Sequence, residues 1–349
     1  MSSQDANPLG ILGVEFVEFT GPQTFDFAKL FTKLSFEKTA QAGKQEIHLF
    51  QQGKIRFILN NEKGTFAQKF VELHGPAVCS TGFLVNDADY AFKTAVARGA
   101  RAFDAKSGVK TLGEFPAIYG IGDSLVYLVD NKSLQKFYET TFGIKGELAQ
   151  PKGSGLQIVD HFTNNVPKGE MQKWCDFYTN IFGFREARYF DIKGKSTGLI
   201  SKVMRSPCGT FSVPINEPTG TKSQIQEYLD EYKGSGIQHI ALTTNHIINS
   251  LGEIKKKDIE FLTPPPKTYY AMLKERLPNV VEAVDTLEKN AILADGDHDG
   301  YLLQIFTKNM IGPIFFEIIQ RENHFGFGDG NFQALFDAIE RDQQERGYL

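Results

Sequence analysis

Cysteine is scarce in this chain. Cys79, Cys175 and Cys208 stand far apart, form no Cys-x-x-Cys pair and are odd in number, which excludes a disulfide framework and a thiolate metal cluster. That usage fits a reducing compartment, so the cytoplasm is the expected location. No stretch of about 18 consecutive apolar residues occurs, and the opening MSSQDANPLGILGVEF has no basic segment leading into an apolar one, so no membrane span or export signal is expected. Positive charge is lacking as well: 38 Lys and Arg face 42 Asp and Glu for a formal net charge of -4. Without a basic field the chain is not suited to phosphate backbones or anionic lipid, and neither nucleic acid nor membrane is expected as a partner. The Gly-x-Ser-x-Gly signature of serine hydrolases is also missing.

What is plentiful is phenylalanine, 30 residues among 349, enough to furnish a large core and aromatic pocket walls. The length points to two domains. Repetition organises them. GVEFVEFTG alternates like a strand, Phe27, Leu30, Phe31 and Leu34 follow helical spacing, and GKIRFILN alternates again. LQIVDHFTNNV, then Trp174, Phe177, Tyr178, Ile181 and Phe182 at helical spacing, repeat that order in the second half. Shorter echoes start at CSTGFLVND and IQHIALTTNHI, giving four β-α-β-type units, two on each side of the Gly- and Pro-containing linker GELAQPKGSG. The expected domains are residues 1–150 and 151–349. FYETTFGIKGE imitates the helix end FYTNIFGFREA but reads as a decoy inside the connecting region. Phe332, Leu335, Phe336 and Ile339 form the apolar stripe of a closing helix.

Chemistry is expected where a polar residue interrupts an apolar strand. In PIFFEIIQR, alternation puts Phe315, Glu317 and Ile319 on one face and Phe316 and Ile318 on the other, so Glu317 is buried either way. An unpaired buried carboxylate costs several kcal/mol, more than the roughly 1.5–3 kcal/mol a neighbouring Phe or Ile returns. A metal ion, an Arg partner or protonation would each compensate; the plain alternatives are a salt bridge to Arg321 or a barrel-interior hydrogen bond. His161 in LQIVDHFTN and His239 in GIQHIALTT interrupt the first strands of the two C-terminal units. Two His and one Glu make the facial set that binds one side of Fe(II) and leaves the other open. GVEFVEF and CSTGFLV carry no histidine, so only the second half is expected to hold metal. His48, His74, His246, His298 and His324 have no companions and read as surface or structural. Asp295, Asp297, Asp299 and Gly300 open like an EF-hand loop, but Phe306 stands where the bidentate Glu belongs, so a hairpin turn is expected. The glycines of FGFGDGN lack the strand and acidic residue of a dinucleotide site.

VDHF, PINEP followed by KSQIQEYL, GIQHIAL, GYLLQIFT and FFEIIQRENHFGFGDGNFQALF, in that order, resemble the 4-hydroxyphenylpyruvate dioxygenase family over nearly the whole chain. The resemblance implies an α+β vicinal-oxygen-chelate fold, two domains each of paired βαβββ modules forming an open barrel, and a closing helix. It implies that His161, His239 and Glu317 hold Fe(II) in the C-terminal barrel, and that Ser201, Asn216, Gln224, Gln238 and Gln304 line or support the substrate pocket. Phe306, Phe315, Phe327 and Phe332 match the family's aromatic walls, and Arg346 matches a residue that positions the closing helix as a gate. The implied reaction converts 4-hydroxyphenylpyruvate and O2 to homogentisate and CO2 in a homodimer or homotetramer. Three alternatives share the fold: a 4-hydroxymandelate synthase, an extradiol dioxygenase, and a metal-free protein that binds aromatic ligands. SVPINEP resembles the ring-hydroxylating branch.

Overall fold

The alternating stretch after Pro8 forms strand β1 (Ile11–Thr20) in a computed structural model that describes residues 6–104, 108–220 and 222–349. β1 is the middle of a seven-stranded sheet. Helix α1 (Phe27–Lys33), capped by the Asp26 carboxylate, buries Phe27, Leu30 and Phe31 at the expected spacing. β2 (Glu37–Gln41), β3 (Ile47–Gln52) and β4 (Ile55–Asn60) then run antiparallel to one another, and β4 returns parallel to β1. After α2 (Phe66–His74), β5 (Ala77–Val85) covers the other edge of β1. α3 (Ala88–Ala97), β6 (Ala117–Tyr119) and β7 (Leu125–Val129) complete the order β2-β3-β4-β1-β5-β7-β6.

The segment read as a decoy is a true helix, α4 (Asn131–Phe142). A capping box between Asp130 and Ser133 starts it, the left-handed Gly143 ends it, and Leu134, Phe137 and Tyr138 bury one face. The echo of FYTNIFGF therefore marks equivalent helix ends. α5 (Met171–Phe177) continues through a π-turn at Tyr178–Phe182 to a left-handed Gly183.

The second sheet has eight strands: β8 (Leu156–Asn165), β9 (Arg185–Lys193), β10 (Gly198–Arg205), β11 (Ser212–Pro218), β12 (Gly236–Thr244), β13 (Leu293–Gly296), β14 (Tyr301–Phe306) and β15 (Phe315–Glu322). β13 and β14 are joined by the expected hairpin at Asp297–Gly300. α6 (Gln224–Tyr232) precedes β12, and α7 (Ile247–Lys255), α8 (Lys267–Ala271), α9 (Leu273–Arg276) and α10 (Val284–Asn290) lie between β12 and β13. α11 (Asp329–Glu345) is the closing helix.

Pairing in the two sheets matches: β8 is parallel to β11 and antiparallel to β12, and β12 is parallel to β15, just as β1 is parallel to β4 and antiparallel to β5, and β5 is parallel to β7. The registers also match. His161 and Glu317 both lie opposite Ala241, and Phe16 and Tyr127 both lie opposite Gly82. His239 pairs with Thr163 as Ser80 pairs with Glu18. The first sheet thus presents Phe16, Ser80 and Tyr127 where the second presents two imidazoles and a carboxylate. Its interior is filled: a Cβ on Gly82 would lie 2.5 Å from the Phe16 ring.

The halves pack through aromatic contacts. Phe316, on the outer face of β15, meets Phe57 at 6.1 Å, Phe83 meets Phe211 at 5.0 Å, and His74 Nδ1 donates at 2.7 Å to the Tyr232 carbonyl. That packing decides which face of β15 turns inward: Phe316 covers the first sheet, so Glu317 faces the interior of the second.

A buried carboxylate in the first sheet gives a pH prediction. Glu18 accepts from the Ser80 hydroxyl and from Asn60 at 2.7 Å, yet burial outweighs both and raises its pKa. A raised folded pKa stabilises below the ordinary carboxylate range and loses that contribution as pH rises through it. Glu18→Gln keeps both contacts, because Ser80 can accept, and removes the ionisation. Its melting temperature is expected to exceed the wild type's by roughly 2–4 °C at pH 8, the gap closing toward pH 5 in calorimetry; a gap that widens toward acid would refute it.

Candidate metal centre and adjoining pocket

His161 on β8, His239 on β12 and Glu317 on β15 stand on three adjacent strands of one sheet. They are 2%, 5% and 1% exposed. Glu317 Oε2 lies 3.1 Å from His161 Nε2 and 3.4 Å from His239 Nε2, and one donor atom from each residue falls within a 4.8 Å set. Adjacent donors bonded at roughly 2.1 Å to one ion stand about 3 Å apart, so the set fits one face of a divalent cation's coordination shell.

The histidine tautomers are set by neighbours that alternation places on the opposite face. Asp160 Oδ2 meets His161 Nδ1 at 2.7 Å, and Gln238 Oε1 meets His239 Nδ1 at 3.1 Å, so both Nε2 atoms face the centre, that of His239 also 3.0 Å from the Thr163 hydroxyl. Both neighbours sit at register shifts. His161 pairs with Ala241 while Val159 pairs with Leu242, and His239 pairs with Thr163 while Ile237 pairs with Asn164. Asp160 and Gln238 are the extra residues of two β-bulges, which turn their side chains back to the imidazoles.

Asp160 is bound in turn by Arg321 through Nε and Nη2, each at 2.8 Å. Arg321 therefore does not pair with Glu317, which settles one of the plain alternatives. The other is present: Gln304 Nε2 donates to Glu317 Oε1 at 2.8 Å, leaving Oε2 to the imidazoles. Burial alone would raise the Glu317 pKa, but His161 and His239 bring it down to about 2. Burial likewise opposes charge on His161, yet Glu317 and Asp160 raise it to about 9, whereas burial prevails at His239 and lowers it. In this arrangement a proton on His161 balances Glu317. A cation would displace that proton and satisfy all three residues at once.

A small cavity adjoins the three residues. Of the residues expected to line or support the pocket, Ser201, Asn216, Gln304, Phe306, Phe327 and Phe332 line it; Gln224, Gln238 and Phe315 line a neighbouring cavity, together with Arg346, the expected gate residue. Phe315 stacks on His239 at 4.7 Å and 22°, and Phe327 meets His161 edge-on at 5.3 Å. Phe190, which the sequence reading passed over, joins the wall by an edge contact of 5.0 Å with Phe332. Ser201 Oγ and Asn216 Oδ1 are buried with no hydrogen-bond partner among the described residues. Each such atom costs about 1–3 kcal/mol unless a bound group supplies the partner. Ser201 and Asn216 are register partners on β10 and β11. Asn216 stands four residues along β11 from the partner of His161, roughly 13 Å at strand rise.

α11 closes the pocket with Phe332 and Leu335. Its outer half is held by two carboxylates. Arg346 donates to both Glu227 oxygens on α6, at 2.6 and 3.1 Å, and to Asp342. Glu340 accepts from the backbone N–H groups of Lys195, Ser196 and Thr197 at 2.9–3.1 Å and from the Thr197 hydroxyl. Burial opposes that carboxylate's charge, but these donors outweigh it and keep its pKa below the usual range. Glu340→Ala is expected to loosen α11 from the β9–β10 turn, raising hydrogen exchange over Asp329–Glu345 by about tenfold, equivalent to about 1.4 kcal/mol. Unchanged exchange there would remove Glu340 from the latch.

Comparison with known proteins agrees with this architecture. The family described as hydroxyphenylpyruvate dioxygenase, N-terminal, matches residues 6–143, and the glyoxalase/bleomycin resistance protein/dioxygenase superfamily matches residues 158–305. The chain is 49% identical to the protein MelA of Shewanella colwelliana over 99% of its length and 100% of that protein. It is 46% identical to the 4-hydroxyphenylpyruvate dioxygenase of Legionella pneumophila strain Philadelphia 1, over 99% of each chain. With the enzyme of that name from Pseudomonas aeruginosa the identity is 43%, over 98% of this chain and 97% of the other. Among solved structures, a 4-hydroxymandelate synthase variant from Streptomyces coelicolor superposes with a TM-score of 0.80 at 24% identity, covering 96% of this chain and 99% of that one, a likeness of fold. A xylose isomerase-like TIM barrel/4-hydroxyphenylpyruvate dioxygenase fusion protein also gives 0.80, at 30% identity, covering 96% of this chain and 52% of the fusion. Matched from end to end by relatives of this kind, the chain belongs to the 4-hydroxyphenylpyruvate dioxygenase family, metal-dependent dioxygenases of the two-domain vicinal-oxygen-chelate fold.

Proposed function

We propose that this chain converts 4-hydroxyphenylpyruvate and O2 to homogentisate and CO2, with Fe(II) held by His161, His239 and Glu317. The observation that carries the reading is the pairing of one facial donor set with one aromatic cavity whose lining holds two unpartnered polar atoms. Residues 151–349 form the catalytic domain and residues 1–150 the domain that buttresses it through Phe57 and Phe316. Bound at the triad, Fe(II) supplies the redox chemistry that couples oxidative decarboxylation of the 2-oxo acid to ring hydroxylation.

The protein's own part is orientation and exclusion of water. Phe306, Phe327, Phe332 and Phe190 grip the phenol ring by stacking and edge contacts. Ser201 donates to the phenol oxygen, and Asn216 Oδ1 accepts the phenol proton, so a hydroxyl is preferred to a hydrogen at that ring position. Gln304 keeps Glu317 Oε1 occupied, and α11 shuts the cavity while the side chain reacts. Gln238 supports the substrate end indirectly through His239, and Gln224 and Phe315 form the outer wall. Arg346 holds α11 as the gate.

The buried thiols Cys79 and Cys175 support a cytoplasmic setting, and no helix among the described residues is long and apolar enough to cross a membrane. A homodimer or homotetramer is part of the proposal, readable by sedimentation. The deciding experiment reconstitutes the protein anaerobically with Fe(II), adds 4-hydroxyphenylpyruvate and O2, follows oxygen uptake and separates the products. Homogentisate is expected. 4-Hydroxymandelate would move the hydroxylation to the benzylic carbon, and no uptake with iron bound would overturn the substrate.

A further inference from the structure

The first turn of the closing helix reaches Glu317 through Gln304 by way of Tyr269 and Asn331, side chains to which the reaction assigns no part. The chain of contacts begins on the backbone of β13, where the Ala294 N–H donates to Tyr269 Oη at 2.8 Å. Arg276 Nη2 donates to the Ala294 carbonyl at 2.8 Å, and its guanidinium lies 4.9 Å from the centre of the Tyr269 ring. Tyr269 Oη lies 2.8 Å from the Ala294 carbonyl, which Arg276 already serves, and 2.7 Å from Asn331 Oδ1; because the Glu317 carboxylate at the far end of the chain can only accept, the single proton of Tyr269 goes to Asn331. Asn331 must then direct its NH2 to Gln304 Oε1 at 2.8 Å. Gln304, its oxygen taken, must direct its own NH2 to Glu317 Oε1 at 2.8 Å. Each amide has two flips and the network permits one. Asn331, Gln304 and Glu317 are 1%, 3% and 1% exposed, so water cannot easily substitute for a missing link. Gly328 lets α11 come down on this chain: its φ is +70°, and a Cβ there would stand 2.8 Å from Gln304 Oε1.

We propose that Asn331 is a positioning residue for the cation, resting on the metal reading above. By fixing the Gln304 amide it commits Glu317 to offering Oε2 alone, so that seating the first turn of α11 and setting the carboxylate's coordination are one event. One oxygen at the carboxylate keeps the opposite positions open for a chelating substrate and O2. Without Asn331, Gln304 is free to turn its oxygen toward Glu317, which repels the carboxylate, or to release it to present both oxygens. The polar character of Asn331, not its bulk, carries this role. Asn331→Asp has the same shape but can only accept, so Gln304 must turn its NH2 to the new carboxylate and its oxygen to Glu317.

The test is a titration of the purified full-length chain with Co(II), read by calorimetry and by the visible spectrum, which reports coordination directly. Wild type is expected to bind one Co(II) and Glu317→Ala to lose it. Asn331→Ala should bind at least about tenfold more weakly, the usual scale for a residue that orients a ligand, with an altered spectrum. Asn331→Asp should alter the spectrum as well, and Tyr269→Phe, which removes one hydroxyl, should shift it in the same direction by less. Wild-type affinity and spectrum in both Asn331 variants, with Glu317→Ala still defective, would overturn the role of Asn331 and leave the metal reading intact. A wild type that binds no Co(II) would overturn both. Near-UV circular dichroism on the same samples shows that the variants are folded, and Tyr269→Phe keeps the test decisive if Asn331→Ala is not.

Discussion

Replacing His161, His239 or Glu317 by Ala is expected to lower iron-dependent turnover of 4-hydroxyphenylpyruvate by at least about 1000-fold, or about 4 kcal/mol of activation free energy, with the fold preserved. The reason is that each supplies one of the three donors that the described residues place around the centre. Glu317 also carries the one negative charge that the two imidazoles lack. Folding survives because each removal leaves its neighbours with partners: His161 retains Asp160 at 2.7 Å, and His239 retains Gln238 at 3.1 Å and Thr163 at 3.0 Å. Activity and bound iron are measured together on the reconstituted variants. Full turnover by any of them would strike that residue from the donor set, while loss of turnover with iron still stoichiometric would give it another role.

Asp160→Ala is expected to cost about 3–5 kcal/mol of stability, the penalty for leaving a buried charge without its partner. Arg321 loses both hydrogen bonds to the carboxylate. Its remaining hydrogen bonds go to the His324 and Gly326 carbonyls at 3.1 and 2.6 Å, in the turn that carries Phe327 to His161. The loss therefore spreads from the imidazole to the pocket wall. Burial would raise the Asp160 pKa, but Arg321 and His161 together hold it well below the usual carboxylate range. A depressed folded pKa stabilises above the ordinary value and is lost as pH falls through the folded one, so the gap between wild type and variant narrows in strong acid. Urea unfolding at neutral pH measures it. A difference under about 1 kcal/mol would show that the pair stabilises no more than a surface ion pair does. The double variant Asp160→Ala with Arg321→Met is expected to recover part of the loss, because no charge is then left buried.

Much of this was legible in the residues. Alternation marked the strands that carry the site, and a lone His or Glu between apolar neighbours marked each donor, because burying such groups is costly unless something compensates. The closing helix followed from Phe332, Leu335, Phe336 and Ile339 at helical spacing. The pocket was less legible. Gln224, Gln238 and Phe315 were expected to line or support the pocket with Ser201 and Asn216; they line the neighbouring cavity, where Phe315 stacks on His239. The helix at Asn131–Phe142 was set aside for lying beside a linker, although Asp130, Ser133 and Gly143 carry its start and stop signals.

The sequence by itself determined that two imidazoles and a carboxylate would be buried in strands of the second half, since residue type and period are local properties. Only the tertiary structure decided what supports them. Asp160 stands next to His161, and Gln238 next to His239, so a regular strand sends each to the opposite face. A bulge at each position brings it back to its imidazole, and a bulge exists only in the register between β8 and β12, strands joined by no local signal. The partnership of Arg321 with Asp160 rather than Glu317, and the path from Asn331 through Gln304 to Glu317, likewise arise where distant segments meet. Which polar groups share a buried space is a property of packing, and packing is set by all the elements at once.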